Sequence, residues 1–150
     1  MSDFVIEPMQ EKDIDSVVNI SILSFPSPWS KESFETELGN NKYARYVIAR
    51  QNGIVVGYGG MWLVIDESHV TNIAVHPEYR GFGIGKALLD AMINICKDEF
   101  IPCMTLEVRF SNIIAQSMYI EFGFKSEGIR KKYYQDTGED GIIMWKRDII

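Results

Sequence analysis

The sequence predicts an α+β fold with a mixed, mostly antiparallel central sheet flanked by helices. Three observations carry that expectation. The strand-like runs "YARYVIARQ", "IVVGYGGMWLVI" and "SHVTNIAV" follow one another with no helix between them, which a pure parallel βαβ repeat does not allow. Asn52-Gly53 separates the first two runs, and this dipeptide is a strong short-range hairpin signal. The whole chain reads β-α-α-β-β-β-α-β-α-β-β, with helical periodicity on both sides of the strand run.

The elements follow in order. "FVIEPM" is a short first strand broken by Pro8. Ile14, Val17, Val18 and Ile22 recur at helical spacing, and the two prolines of "FPSPW" end that helix. Ser30 is an N-cap for "KESFETELG", which stops at Gly39 and Asn40. His76-Pro77 breaks "SHVTNIAV", because proline brings no N–H to a ladder. A glycine-rich loop then opens a helix with Ala87, Leu88, Ala91 and Ile95 on one face. "CMTLEVR" is a strand, and "SNIIAQSMYIEFG" is a short helix capped by Ser111 and closed at Gly123. "FKSEGIRKKYYQ" and "GIIMWKRDI" are strands around the turn "DTGEDG".

With 150 residues, 46% of them hydrophobic and 24% charged, the chain suits one domain, 1–150, with a sizeable core. Its net charge of -6 argues against direct nucleic-acid binding, which wants a basic face. Cys96 and Cys103 fit no zinc or redox spacing and read as buried reduced thiols. His69 and His76 match no metal motif, so no metal is expected. "MSDFVIEPMQEKD" lacks the apolar run of a signal peptide, and no stretch reaches a membrane span. A cytoplasmic location without membrane attachment is expected, and a monomer is favoured.

"PEYRGFGIGKALLDAM" carries Gly81, Gly83 and Gly85 within five residues, between a strand and an apolar helix. Such a loop offers backbone N–H groups and a helix N-terminus to an anion, and Arg80 and Lys86 add cationic side chains. The G-x-G-x-G spacing is not the Rossmann G-x-G-x-x-G, and Ala87 follows Gly85-Lys86 where a Walker loop needs Ser or Thr. A phosphate or pyrophosphate outside both nucleotide motifs is implied, beside the simpler reading of a flexible turn.

Arg80-Gly81-Phe82-Gly83-Ile84-Gly85 resembles the Q/R-x-x-G-x-G/A motif of the GNAT N-acetyltransferase superfamily. The blocks "NIAVHPEYRGFGIGKALL" and "LEVRFSNIIAQSMYIEFGF" extend the likeness in order, and the element order agrees over nearly the whole chain. Within the superfamily, "FPSPWS", "LEVRFSNIIAQSMY" and "GIRKKYYQDTGEDGIIM" are most similar to the RimI-type bacterial ribosomal-protein-alanine N-acetyltransferases. Ser27-Pro28 departs from the plainer Phe-Pro-Trp-Ser expected there.

The resemblance implies the GNAT fold and acetyl-CoA as co-substrate. Arg80, Gly81, Phe82, Gly83, Ile84, Gly85 and Lys86 would take the pyrophosphate, and the backbone of Ile73, Ala74 and Val75 the acetyl and pantetheine portion. Asn112 would contact the cofactor, or simply cap its helix. The implied partner is the N-terminal alanine of a small-subunit ribosomal protein, attacked directly with no acetyl-enzyme.

Acetyl transfer needs a neutral amine, and an α-amine titrates near pH ~8. Glu107, a lone acid in the apolar strand "MTLEVR", is implied as the proton acceptor. Alternatively it faces solvent or pairs with Arg109. Tyr119, two helical turns after Asn112, is implied as the proton donor to the leaving thiolate, or is a packing residue beside Phe122 and Phe124. Phe25, Trp29 and Tyr134 are candidates for the peptide site. The adjacent Tyr133 and Tyr134 should face opposite sides of their strand. Acidic Glu67, Asp136, Glu139 and Asp140 lie at turns that could attract a basic peptide tail. Acetylation of a small amine, or non-catalytic acyl-CoA binding, are the rival readings.

Overall fold

The structure, a computed structural model, describes residues 3–150. Strands β1 (Val5–Pro8), β2 (Ala44–Gln51), β3 (Ile54–Val64), β4 (Glu67–Val75), β5 (Cys103–Arg109), β6 (Lys125–Tyr134) and β7 (Glu139–Lys146) form one sheet in the order β1-β2-β3-β4-β5-β7-β6. Every neighbouring pair is antiparallel except β4 and β5. The crossover between these two is α3 (Ile84–Asp98). The expected α+β sheet is therefore present. Asn52 (φ 52°) and Gly53 (φ 77°) make the β2–β3 turn, with Gln51 opposite Ile54.

Each face of the sheet carries its own core. On one side α3 lays Leu88, Leu89 and Met92, all fully buried, against Val47, Val56, Met61, Leu106 and Val108. Each such side chain contributes roughly 1.5–3 kcal/mol by leaving water. On the other side α1 (Ile14–Ser24) and α2 (Lys31–Gly39) pack Ile14, Val17, Ile20 and Phe34 against Tyr46, Ile48 and Tyr58. Ser30 caps α2 by accepting the Ser33 N–H.

Several local expectations need correction. In α1, Ile20 and Ser21 are buried whereas Ile22 is 58% exposed, because the helix turns a narrower face to the sheet. The buried stripe of α3 is Ile84, Leu88, Leu89, Met92, Ile93 and Cys96, with Ala87, Ala91 and Ile95 on its flanks. Helix α4 (Ile113–Glu121) is capped by Asn112, not Ser111. Cys96 is buried, but Cys103 is only half-buried. Among the described residues, no helix is long and apolar enough to cross a membrane.

Candidate functional site

The sheet opens between β4 and β5. Their parallel pairing runs only from Glu67↔Cys103 to His69↔Thr105. Beyond it β4 stays paired to β3 and β5 stays paired to β7, so the strands diverge with their inner edges facing each other. A bulge in β4 lies at the point of divergence. Gly60 pairs with Asn72 and Met61 with Val70, so Thr71 has no β3 partner. A bulge adds twist and turns a strand out of its ladder. Ile73, Ala74 and Val75 follow, paired to Gly59, Tyr58 and Gly57 on one edge and facing the opening with the other.

The glycine loop delivers the N-terminus of α3 to this opening. A Cβ added at Gly85 would lie 3.8 Å from Val75 and 3.6 Å from Met118, so the first turn of α3 is wedged between the end of β4 and α4. Gly81 and Gly83 have φ of 87° and 86°, a region that disfavours L side chains. A Cβ at either would meet nothing within 4 Å. The loop is thus an open cradle that side chains would fill, at a helix end whose first N–H groups lack intrahelical partners. A diphosphate fits that cradle. The two cations beside it have protein partners. Arg80 donates from Nε to the Val75 carbonyl (2.9 Å) and from Nη2 to Ser24 (3.3 Å), and Lys86 pairs with Glu121 (2.9 Å). Phe82 is exposed and the Ile84 side chain is buried in the core, so Ile84 can offer a ligand only its backbone.

Glu107 and Tyr119 lie on opposite faces of the sheet. Leu106 and Val108 point into the α3-side core that also contains Tyr119, so Glu107 points to the other face. Glu107 is half-buried and accepts from Arg130 Nε at 3.3 Å. Its partner is therefore Arg130, not Arg109. Arg109 instead binds Asp136 (2.8 Å) and Glu139 (3.3 Å) and lies 4.0 Å over the Tyr134 ring. Tyr119 is 5% exposed, with its ring centroid 5.6 Å from that of Phe124. Burial, with a smaller contribution from nearby Tyr134, pushes its phenol up, so it holds its proton well past neutral pH. Asn112 accepts the Ala115 N–H (3.1 Å), the capping role.

The candidate peptide-site residues are brought to the same face. Phe25 and Trp29 are half-buried against the α1–α2 core, with Trp29 5.5 Å from Phe34. Tyr133 and Tyr134 do not take opposite sides. Their rings meet edge to face at 5.0 Å, because the register shifts between Arg130 and Tyr134 and Lys132 has φ 52°. Tyr134 is pushed up to about 12, chiefly by burial and against the influence of Arg109. The turn carboxylates are not free to draw in a basic tail: Asp136 and Glu139 hold Arg109, Asp140 accepts from Lys131 and the Lys132 N–H, and Glu67 bonds His69. His76 accepts the Glu78 N–H, and no group of three or more His, Cys, Asp and Glu among the described residues is placed to hold a metal.

Sequence reasoning missed Arg130 and a buried polar chain running from Glu37 to Tyr58. One signal was available for the second. Glu37 lies three residues after Phe34, on the buried stripe of α2, where an unpaired acid is costly.

Residues 14–124 match the acetyltransferase (GNAT) family. The chain is 33% identical over 141 residues to the ribosomal protein bS18-alanine N-acetyltransferase of Escherichia coli, covering 93% of this chain and 94% of that one. It is 46% identical over 140 residues to a Bacillus subtilis protein provisionally named for the same activity, covering 93% of each. The crystal structure of the ribosomal-protein-S18-alanine N-acetyltransferase from Escherichia coli superposes with a TM-score of 0.87 at 32% identity, covering 95% of this chain and 92% of that one. That of Ard1 from Thermoplasma volcanium gives 0.84 at 26% identity, covering 95% and 96%. An opening between β4 and β5, a glycine-lined helix N-terminus at its mouth, and matches running almost from end to end lead to one statement: the chain belongs to the acetyltransferase (GNAT) family.

Proposed function

We propose that this enzyme transfers the acetyl group of acetyl-CoA to the α-amino group of a protein N-terminus, with the N-terminal alanine of a small-subunit ribosomal protein as substrate. The observation that carries this reading is the opening between β4 and β5. Backbone donors lie at its mouth, and we assign to it the Glu107 carboxylate from one face of the sheet and the Tyr119 phenol from the other. The names of the relatives support the substrate class.

Acetyl-CoA, when bound, supplies an activated thioester. The N–H groups of the first turn of α3 and of Gly81 to Lys86 would hold its diphosphate, and the free edge of Ile73 to Val75 its acyl end. Glu107 takes a proton from the substrate ammonium, directly or through water, leaving a neutral amine. The amine nitrogen attacks the thioester carbonyl, the C–S bond breaks, and the sulfur takes the Tyr119 proton as it leaves; the nitrogen sheds its remaining proton through water, which restores the phenol. Phe25, Trp29 and Tyr134 wall the entrance on the carboxylate side.

The experiment is a mass-resolved acetylation assay. A peptide beginning with alanine should gain one acetyl group at its N-terminus, whereas an N-terminally blocked copy and free polyamines should stay unmodified. Turnover of the polyamine in place of the peptide would overturn the reading in favour of a small-amine acetyltransferase.

A further inference from the structure

We infer that Glu37 is a positioning residue for acetyl transfer: from α2 it anchors a one-way chain of hydrogen bonds that fixes the Thr71 bulge, and so the separation of β4 from β5. The inference rests on the reading that this opening receives the acyl end of the co-substrate.

Glu37 is 7% exposed. It accepts from Tyr46 Oη (2.8 Å), Trp62 Nε1 (2.5 Å) and Asn41 Nδ2 (2.8 Å), so all its donors are neutral. A carboxylate can only accept. Tyr46 has one hydroxyl proton, and Glu37 receives it. In the 2.9 Å contact between Tyr46 and Thr71 the threonine must therefore donate. Thr71 Oγ1 in turn accepts from Asn72 Nδ2 (3.1 Å), and Asn72 Oδ1 accepts from Tyr58 (3.1 Å). One carboxylate thus sets the direction of four successive bonds, from Tyr58 through Asn72, Thr71 and Tyr46.

The chain ends where the sheet opens. Thr71 is the β4 residue left without a β3 partner, two residues beyond the last β4–β5 pair at His69. Opposite it, Gly60 gives the Tyr46 ring room to lie against the strand, since an added Cβ there would clash with that ring. An unpaired bulge residue has lost its ladder constraint. Here the side-chain chain replaces that constraint. The chain also lies on the Glu107 face: Trp62 pairs with His69, His69 with Thr105, and Glu107 follows two residues on. A small shift of the bulge therefore moves the acyl-end strand relative to the carboxylate, and misplacements of about 1 Å can cost ~10²-fold in rate.

The test compares Tyr46→Phe, Glu37→Gln, Thr71→Val and Thr71→Ser. The first three keep the packing volume nearly unchanged, and Tyr46→Phe and Thr71→Val lose only a hydroxyl link, whereas Thr71→Ser loses a methyl group and keeps the hydroxyl. Tyr46→Phe, Glu37→Gln and Thr71→Val should each lower kcat on the alanine-started peptide by on the order of 10-fold. CoA affinity should stay within about twofold of wild type, because the diphosphate cradle is untouched. Thr71→Ser, which keeps the hydroxyl, should retain activity. The Glu37→Gln/Tyr46→Phe double variant should be no slower than Tyr46→Phe alone. Unchanged kcat in folded variants, whatever their melting temperature, would reduce Glu37 to structural support and overturn the inference. Additive losses in the double variant would also overturn it, since the two residues would not share one chain. Wild-type protein that fails to bind CoA would instead sink the underlying reading of the opening.

Discussion

Nε of Arg130 lies 3.3 Å from Oε1 of Glu107, and the two side chains are 53% and 27% exposed. A guanidinium thus stands where a substrate ammonium must come if Glu107 is to take its proton. The pair is open to water, so its own contribution to stability is small, about 0–1 kcal/mol. Arg130→Gln should lower KM for the alanine-started peptide severalfold and leave that for acetyl-CoA unchanged. Steady-state kinetics at constant salt give both numbers. A raised peptide KM would mean that Arg130 helps to seat the substrate. In a Glu107→Gln background the substitution should have no effect on KM.

Glu107→Gln and Tyr119→Phe should differ in their dependence on pH. The substrate amine is mostly protonated below pH ~8, so the loss from Glu107→Gln should be greatest there and shrink as pH rises. A general base is worth roughly 10²–10⁴-fold. Tyr119 is buried and its phenol is pushed up, so it is protonated throughout that range. The loss from Tyr119→Phe should therefore stay level with pH. Two parallel pH–rate profiles, or a wild-type profile for Glu107→Gln, would remove the division of labour.

A third prediction separates strain from ligand contact in the glycine loop. Gly83→Ala introduces a side chain at φ 86°, with no protein atom within 4 Å of the new Cβ. Gly53→Ala does the same at φ 77° in the remote β2–β3 turn. Each should cost ~1–2 kcal/mol in stability. Only Gly83→Ala should weaken CoA binding, by roughly 10-fold, or about 1.4 kcal/mol. Equal CoA affinities by calorimetry would show that the cradle holds no diphosphate.

How far the sequence carries depends on the range of the interaction. The Asn52-Gly53 turn, the Ser30 cap and the glycine loop are set by residues a few positions apart, and the structure has all three. Helix faces were less legible. Ile22 fits a helical period yet points outward, because the face is chosen by a distant sheet. The opening itself depends on where β4–β5 pairing stops, and no local pattern encodes that. Tyr133-Tyr134 shows the same limit: strand alternation is a sound rule until a bulge, set by the pairing of β6 with β7, interrupts it. Arg130 and Glu107 lie 23 residues apart and meet only because β5 and β6 both pair with β7.

Buried tyrosines make the fold sensitive to alkali. Tyr58 is fully buried, and burial raises it to about 12, partly offset by a hydrogen bond with Ser21. Its unfolded value is ~10. The folded state binds this proton more tightly, so the stabilisation is complete below pH ~10 and is lost as pH rises toward 12. The loss amounts to about 2–3 kcal/mol for this one group. Tyr46 and Tyr119 are pushed in the same direction by burial and add to the slope. Urea melts between pH 9 and 11 should show falling stability, less steep for Tyr58→Phe, which leaves Asn72 without its donor and starts ~1 kcal/mol lower. Identical slopes for the two proteins would mean that Tyr58 is not the group resisting ionisation.

The last prediction concerns how the peptide is gripped beyond its first residue. The Tyr134 ring is held on one side by the Arg109 guanidinium, 4.0 Å from its centroid, and edge-on by Tyr133 at 5.0 Å. Arg109 is itself fixed by Asp136 and Glu139 across the β6–β7 turn. The ring is therefore preorganised, and a rigid aromatic wall binds an extended backbone with little loss of entropy. Tyr134→Ala should raise the peptide KM by roughly 10-fold, about 1.4 kcal/mol, and leave CoA affinity unchanged. Tyr134→Phe keeps the wall and should have a small effect. Arg109→Met carries a second consequence. It releases two carboxylates that are now neutralised at close range. In the wild-type enzyme those carboxylates are engaged, so peptides sharing their first three residues but differing in basic or neutral tails should be used with similar efficiency at physiological salt. In Arg109→Met the freed acids should favour the basic tail, and the preference should fade as salt shortens the screening length from ~10 Å at 0.1 M to ~3 Å at 1 M. A strong, salt-sensitive preference for the basic tail already in the wild type would mean that other acids steer the substrate, and that the ion pairs around Arg109 serve only to order the turn.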